Sequence, residues 1–502
     1  MHPTGKNGKG IETMLRDFFA LPLRRKEARY CNVWKSGLRR LRLEWQRVNP
    51  VKYMLSIFNP VMCCALVVMA AISLDSGLGA AAGEQAGITW GATVEIASGG
   101  GHRGPWRQNE SEYNYVDDPT VALDAQGATA VAWVDQLRKD VFFQIYDRDG
   151  KPRYSEPVNV SRSPTVFSWL PRLVISRTYP SEVFILWQEI VFSGGAHGGE
   201  IFFAHSSNGG RSFSEPINLS NSIGGDGKGR INKDVWHNGS LDLVMDAEGT
   251  LYAAWTEYDG PLWFSRSNDR GESFSRPARI AGGGELEPAR APALPVGPDK
   301  SVYLAWTAGD EDGADIRLAK STDGGRTFSD AMVAAETKTY SDAPKLAVDP
   351  KGTVHIVFAE SLGGPFDRHQ VLYARSQDGG RTFEPLREIS SPYPQSSTSA
   401  AFPALSLDGQ GNVYVLWEVF PAPDTPPRGL AIVFSRDTGR TFTAPAIVPG
   451  SIDPGGGWSG SHQGLLMRKL AVNETGAVSV VNSSLKYGEK SRVWLIPGQL
   501  QR

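Results

Sequence analysis

From residue 88 onward the chain is written in short apolar runs bounded by Gly, Pro or Asp, with no stretch that keeps a helical period. Residues 291–335, "APALPVGPDKSVYLAWTAGDEDGADIRLAKSTDGGRTFSDAMVAA", give the pattern in full. A run ends in a turn, a second run closes on Trp306, and a loop leads to the third run "DIRLAK". A tight turn then leads to the fourth run, "AMVAA". Runs this short, with these breakers between them, predict β-strands. The first turn recurs as "DAQG" at Asp124, "DAEG" at Asp246, "DPKG" at Asp349, "DGQG" at Asp408 and "NETG" at Asn473. The aromatic that closes the second run recurs at Trp133, Trp187, Trp255, Trp306, Phe358 and Trp417, at separations of 54, 68, 51, 52 and 59 residues. A period of this length with four strands per unit predicts the blades of a β-propeller.

Seven second strands can be counted, the last being "VSVVNSS" without its aromatic, and the last unit ends at "VWLIPG" with no fourth strand. The missing strand is predicted at the other end of the domain. "WGATVEIA", Trp90 to Ala97, matches "FSRPARIA", Phe274 to Ala281, position for position. An N-terminal strand that completes the last blade leaves no open edge. The reading is an all-β, seven-bladed propeller over residues 88–498.

The turn between third and fourth strands is written almost identically five times: "SSNGGRSF" from Ser206, "SNDRGESF" from Ser267, "STDGGRTF" from Ser321, "SQDGGRTF" from Ser376 and "SRDTGRTF" from Ser435. Asp in third place can accept turn amides, the following Gly tolerates positive φ, and the closing Phe is expected to return to the core and pin the hairpin. One copy carries Asn208 instead of Asp. A turn acceptor survives that exchange and a catalytic carboxylate does not, so the repeat is read as structural. The form S-x-D-x-G-x-T-F resembles the Asp-box, or BNR, motif of sialidases and related propellers, with a six-bladed sialidase-type ring as the alternative architecture. The resemblance implies a glycan-directed protein, either an exo-glycoside hydrolase or a noncatalytic binder of carbohydrate or protein at the cell envelope.

In a four-stranded blade the 1→2 and 3→4 turns share one face of the disc, and here they are short. The 2→3 loops and 4→1 crossovers share the other face and carry the insertions, which include "GGGHRGPWRQNESEYNYVDD", "NSIGGDGKGRINKDVWHNG" and "SIDPGGGWSGSHQG". Variable loops on a rigid scaffold are the expected place for recognition. Candidate residues on that face are Asp118, Trp169, Arg172, Trp236, His237, Arg290, Tyr340, Asp342, Trp458 and His462 at crossover ends, with Glu257 after a second strand. Arginine forks bind carboxylates, and aromatic rings stack on sugars. What the resemblance implies is Tyr340 as nucleophile assisted by Glu257, Asp118 or its neighbour Asp117 as acid, and Arg172 and Arg290 on a substrate carboxylate. The remaining candidates are assigned to substrate binding. The sequence departs from sialidases in lacking their early Arg-Ile-Pro tripeptide and in counting seven units.

Charge and composition narrow the rest. The chain of 502 residues holds 55 Gly, 33 Pro and 14 Trp, a composition of many turns. Its net charge of −2 conceals a basic leader, residues 1–52, of +9 and a remainder of −11. Nucleic acid needs a basic footprint and is not an expected partner. The leader runs into a mostly apolar segment, residues 53–74, followed by a linker, residues 75–87. That order predicts export, with the propeller periplasmic, extracellular or held at a membrane by this segment. Cys31, Cys63 and Cys64, the chain's three cysteines, lie before residue 75, so no disulfide framework is expected in the propeller. The expected state is monomeric. No cofactor is expected; Asp310, Asp312 and Asp315 in "GDEDGAD" are the one set of oxygen ligands suited to calcium.

Overall fold

In the first repeat unit Val116–Leu123, Thr129–Asp135, Asp140–Tyr146 and Val158–Asn159 pair side by side in sequence order as an antiparallel sheet. Five more units do the same. This computed structural model describes residues 84–501 except 86, 180, 192–198, 223–228, 233–234, 238–239, 258–259, 284–286, 310–312, 336, 338, 366, 396, 424 and 460–466, with backbone alone for 84–85, 229–232 and 235–237. The leader, the apolar segment, Asp310, Asp312 and His462 therefore lie outside the described residues. No helix occurs among those described.

The seventh blade closes as the repeat alignment predicts. Leu470–Val472, Ala477–Lys486 and Lys490–Leu500 supply three strands, and Val94–Gly99 pairs as the fourth, with Val94 opposite Leu495. The preceding Ile88–Trp90 also pairs with that third strand, so two successive N-terminal pieces cover it. Innermost strands of consecutive blades touch all the way round, the seventh against the first. The protein is a seven-bladed β-propeller.

Aromatic and aliphatic side chains from facing sheets fill the space between blades. Trp255 and Trp417, closing residues of second strands, are 1% exposed. The octapeptides fasten one blade to the next. In the Ser321 copy the Ser321 hydroxyl donates to Asp323, and Asp323 accepts the amides of Arg326 and Thr327 at 2.9 Å and the Thr327 hydroxyl at 2.6 Å. In the variant copy Asn208 accepts the Ser212 amide and donates its own amide to the Ser212 hydroxyl, so the turn is preserved. The closing Phe reaches further than its own hairpin. Phe213, Phe274, Phe328 and Phe442 pack edge-on against Phe143, Phe203, Phe264 and Tyr373, each from the third strand of the preceding blade, at centroid distances of 4.8–5.4 Å. The box is thus an interblade staple.

A second repeated device lies on the innermost strands. Asp118, Leu170, Ala291, Ala343 and Phe402 all hold φ between 53° and 57°, each stands before a proline, and the register shifts there. Proline offers no N–H to the ladder, so a bulge is where an inner strand tolerates it. The bulge separates an outer half facing the insertions from an inner half that lines the axis.

Candidate functional site

The crossover insertions fold as β-ribbons on their face of the disc. His102–Arg103 pairs with Tyr113–Asn114, Gly229–Asn232 pairs with Val235–His237, and Trp458–Ser459 joins the second strand of blade 7. The first ribbon carries an aromatic set between blades 1 and 2. Trp106 stands 5.3 Å from Trp169 and 6.4–6.5 Å from Phe167 and Tyr113, centroid to centroid. Trp169, Phe167 and Tyr113 are buried, whereas Trp106 is 36% exposed. Trp169 is held by its indole N–H donating to Gln136 at 3.2 Å. Asn109 holds the neighbouring loops, donating to the Ile190 carbonyl and accepting the Phe167 amide, while the Lys139 ammonium lies over the Phe167 ring and donates to the Asn109 carbonyl. The result is one exposed indole on a braced aromatic floor, in a loop that also carries the exposed Arg107, Gln108 and Glu110. At the other end of the same ribbon Arg103 donates to the Tyr487 hydroxyl, and Tyr487 meets Trp458 edge-on at 4.9 Å.

The residues suggested by the sialidase resemblance gather only in part. Arg290, Tyr340 and Asp342 do come together across blades 4 and 5. The Arg290 guanidinium donates to the Tyr340 hydroxyl at 2.9 Å, to Asp342 at 3.2 Å and to the Gly309 carbonyl. Tyr340 donates to Asp342 at 3.1 Å, and Thr307 donates to the same carboxylate at 2.9 Å. All three are buried. Burial and the Asp342 charge push the Tyr340 phenol far above its usual range, which opposes phenolate formation. His369, edge-on to Tyr340, is held below the usual histidine range by burial.

The other residues suggested by the resemblance are engaged elsewhere among the described residues. Tyr340 bonds Arg290 and Asp342, not Glu257; Glu257 accepts the Trp263 indole N–H at 3.0 Å on blade 3. Asp118 sits in the bulge of blade 1 and accepts the Leu170 amide, the equivalent bulge residue of blade 2. Its carboxylate closes a gap in the backbone ladder that the bulge opens. Arg172 faces the axis, beside Met467 and near Asp242 and Arg468, and shares no partner with Arg290 among the described residues. Trp236 and His237 lie on the second ribbon, with Trp236 opposite Arg230. Asp315 opens the third strand of blade 4, and no group of three or more metal-ligating side chains occurs among the described residues.

One carboxylate stands apart chemically. Glu418, 1% exposed at the second strand of blade 6, accepts the Lys469 ammonium with one oxygen, and its other oxygen has no hydrogen-bond partner among the described residues. Burial raises its pKa against the pull of Lys469, and the Asp117 charge adds to the rise. Lys469 also donates to Asn482 at 3.1 Å, and Ser483 donates to Asp117 at 2.7 Å.

No protein-family model matches the chain, and no curated protein matches it. Solved structures do. An α-L-arabinofuranosidase of Fusarium graminearum is 14% identical, with 67% of this chain and 94% of that one covered at a TM-score of 0.43. An ulvan lyase of polysaccharide lyase family PL25 is 12% identical, with 76% and 94% covered at 0.48. A Hadza microbial sialidase is 15% identical, with 74% and 73% covered at 0.42.

Sequence reasoning named Trp169 but passed over Trp106, Phe167 and Tyr113, which complete its set. Trp106 was legible as the bulky apolar residue in an insertion otherwise written in Gly, Arg, Asn and Glu. The axial residues Lys345, Asp242 and Arg468 were passed over too. Their signal is positional: Asp242 and Lys345 each stand four residues before the Asp of a 1→2 turn, where the inner half of the strand faces the axis.

Proposed function

We propose that this chain is an exported glycan-binding propeller whose sugar platform is the Trp106 surface of the insertion-bearing face. The observation that carries the reading is the exposed Trp106 indole packed against buried Trp169, Phe167 and Tyr113. A fixed flat apolar surface complements the C–H face of a pyranose or furanose with little ordering to do on binding, and the polar residues around it suit hydroxyl groups. The basic leader and apolar segment support export, and the octapeptide resemblance supports a glycan ligand. The catalytic reading of Tyr340 is disfavoured because Arg290, Tyr340 and Asp342 satisfy one another in a buried network.

The test is a carbohydrate array probed with the full-length chain and with Trp106→Ala. We expect a defined glycan class to bind, and the variant to lose about tenfold or more in affinity, in line with an aromatic contact of ~1–2 kcal/mol, with Tm unchanged. An array with no ligand, or a variant that binds as the parent does, overturns the proposal.

A further inference from the structure

The ribbon that carries Trp106 has a second aromatic set at its base. There it is tied to blade 7: the Gly101 carbonyl accepts the Gly488 amide at 3.0 Å, and Arg103 donates to the Tyr487 hydroxyl at 3.3 Å. Tyr487 is 37% exposed and meets the half-buried Trp458 edge-on at 4.9 Å. Tyr113, opposite Arg103 across the ribbon, stands 6.5 Å from Trp106, ring to ring. Arg103 precedes Trp106 by three residues, so their Cα atoms are at most about 10 Å apart. Arg103 thus links the two aromatic sets, bonded to one and beside the other.

We propose that Arg103, with Tyr487 and Trp458, forms a second subsite that takes an anionic sugar residue, bearing a carboxylate or a sulfate ester, of the same glycan whose neutral ring rests on Trp106. The inference rests on the platform reading and names its ligand class, an acidic oligosaccharide. Arg103 is half-buried and makes no ion pair with a described residue; its hydrogen-bond partner among them is the Tyr487 hydroxyl. A guanidinium so held keeps most of its N–H donors for an oxyanion, which it can grip with two parallel bonds. Tyr487 holds the fork in place, and the Tyr487 and Trp458 rings offer the sugar an apolar contact beside it.

The neighbouring carboxylates are turned away or committed. Successive residues of a strand alternate in face, so Glu112 lies with His102 on the side of the ribbon away from Arg103. A Cβ built on Gly104 would lie 3.7 Å from the Glu112 Cβ and 3.5 Å from the His102 Nε2, as that arrangement requires. Glu489 pairs with Lys486 at 2.6 Å. Asp453 accepts Arg492 and the amides of Gly455 and Gly457, and Glu95 accepts Arg492 as well. A further cation stands beside Trp458. The Pro427 carbonyl accepts the Ser459 amide at 2.9 Å, and the exposed Arg428 donates to the Gly456 carbonyl at 3.4 Å. The surroundings of Arg103 therefore favour an incoming anion.

The experiment is a carbohydrate array that carries oligogalacturonides beside their methyl esters and sulfated galactans beside their desulfated forms, probed with the full-length chain. We expect the charged member of at least one pair to bind about tenfold or more tightly than its neutral counterpart, with the preference shrinking as salt rises. Preference within the galacturonide pair marks a carboxylate, and within the galactan pair a sulfate ester. Arg103→Met is expected to bind both members at the neutral member's affinity with Tm unchanged. Arg103→Lys keeps the charge but loses the fork, and retains part of the preference. Trp106→Ala weakens both members of a pair by the same factor, so the two subsites are read separately. Binding that is blind to charge, or a charge preference that survives in Arg103→Met, overturns the subsite and leaves the platform standing. So does a chain that binds neither pair yet binds a neutral glycan through Trp106. An array with no ligand at all is the failure of the platform itself, and takes the subsite with it.

Discussion

Arg290 shows how one buried side chain constrains its neighbours. Its guanidinium is fully buried between blades 4 and 5, and Asp342 is the carboxylate that compensates it at 3.2 Å. Removing that charge while keeping the shape leaves a cation stranded in a low-dielectric interior, which is more damaging than the pair itself is stabilising. Asp342→Asn is therefore expected to destabilise the fold by about 3 kcal/mol, measured as a lowered urea midpoint with an unchanged m-value. Loss of glycan binding in that variant without loss of stability would instead place Asp342 in recognition. Asp118 illustrates the same economy with backbone: a carboxylate in a left-handed bulge answers the amide of the next blade's bulge.

Among elements, the octapeptide hairpin and the proline bulge divide the labour. The hairpin joins neighbouring blades far from the axis, and the bulge turns the inner strand so that its two halves serve different faces. Gly325 tests the hairpin. It holds φ +76°, and a Cβ there would lie 2.8 Å from the Phe264 ring of the preceding blade. Gly325→Ala therefore combines a left-handed alanine with a clash, for about 2 kcal/mol of destabilisation. Gly352→Ala is the control: φ is +84° but nothing lies within 4 Å, so only the backbone part, about 1 kcal/mol, is expected. Equal losses by chemical denaturation would remove the interblade role of the hairpin.

For the molecule as a whole, stability depends on closing the ring. The third strand of blade 7 is covered by Val94–Gly99 and Ile88–Trp90, and without them Lys490–Leu500 becomes a long unpaired edge. Deletion of residues 84–99 is expected to abolish a single cooperative unfolding transition and to produce aggregation, visible by light scattering alongside calorimetry. A soluble deletion variant with the parental transition would show that the other blades close without this strand.

Repeat spacing, turn residues and the alignment of Trp90–Ala97 with a fourth strand determined the blade count and the way the ring closes, because each depends on local periodicity and on a pattern written many times. The structural role of the octapeptides was legible for the same reason, since Asn208 replaces Asp in one copy. Which side chains meet across blades was not. Tyr340 and Glu257 read equally well as partners in the sequence, yet register and bulge geometry give Tyr340 to Arg290 and Asp342 and Glu257 to Trp263. Arg172 and Arg290 likewise occupy similar places in their units, but Arg172 stands after the bulge and turns to the axis, while Arg290 stands before it and turns to blade 5. Such contacts join residues tens to hundreds of positions apart, and only the closed ring sets their distances.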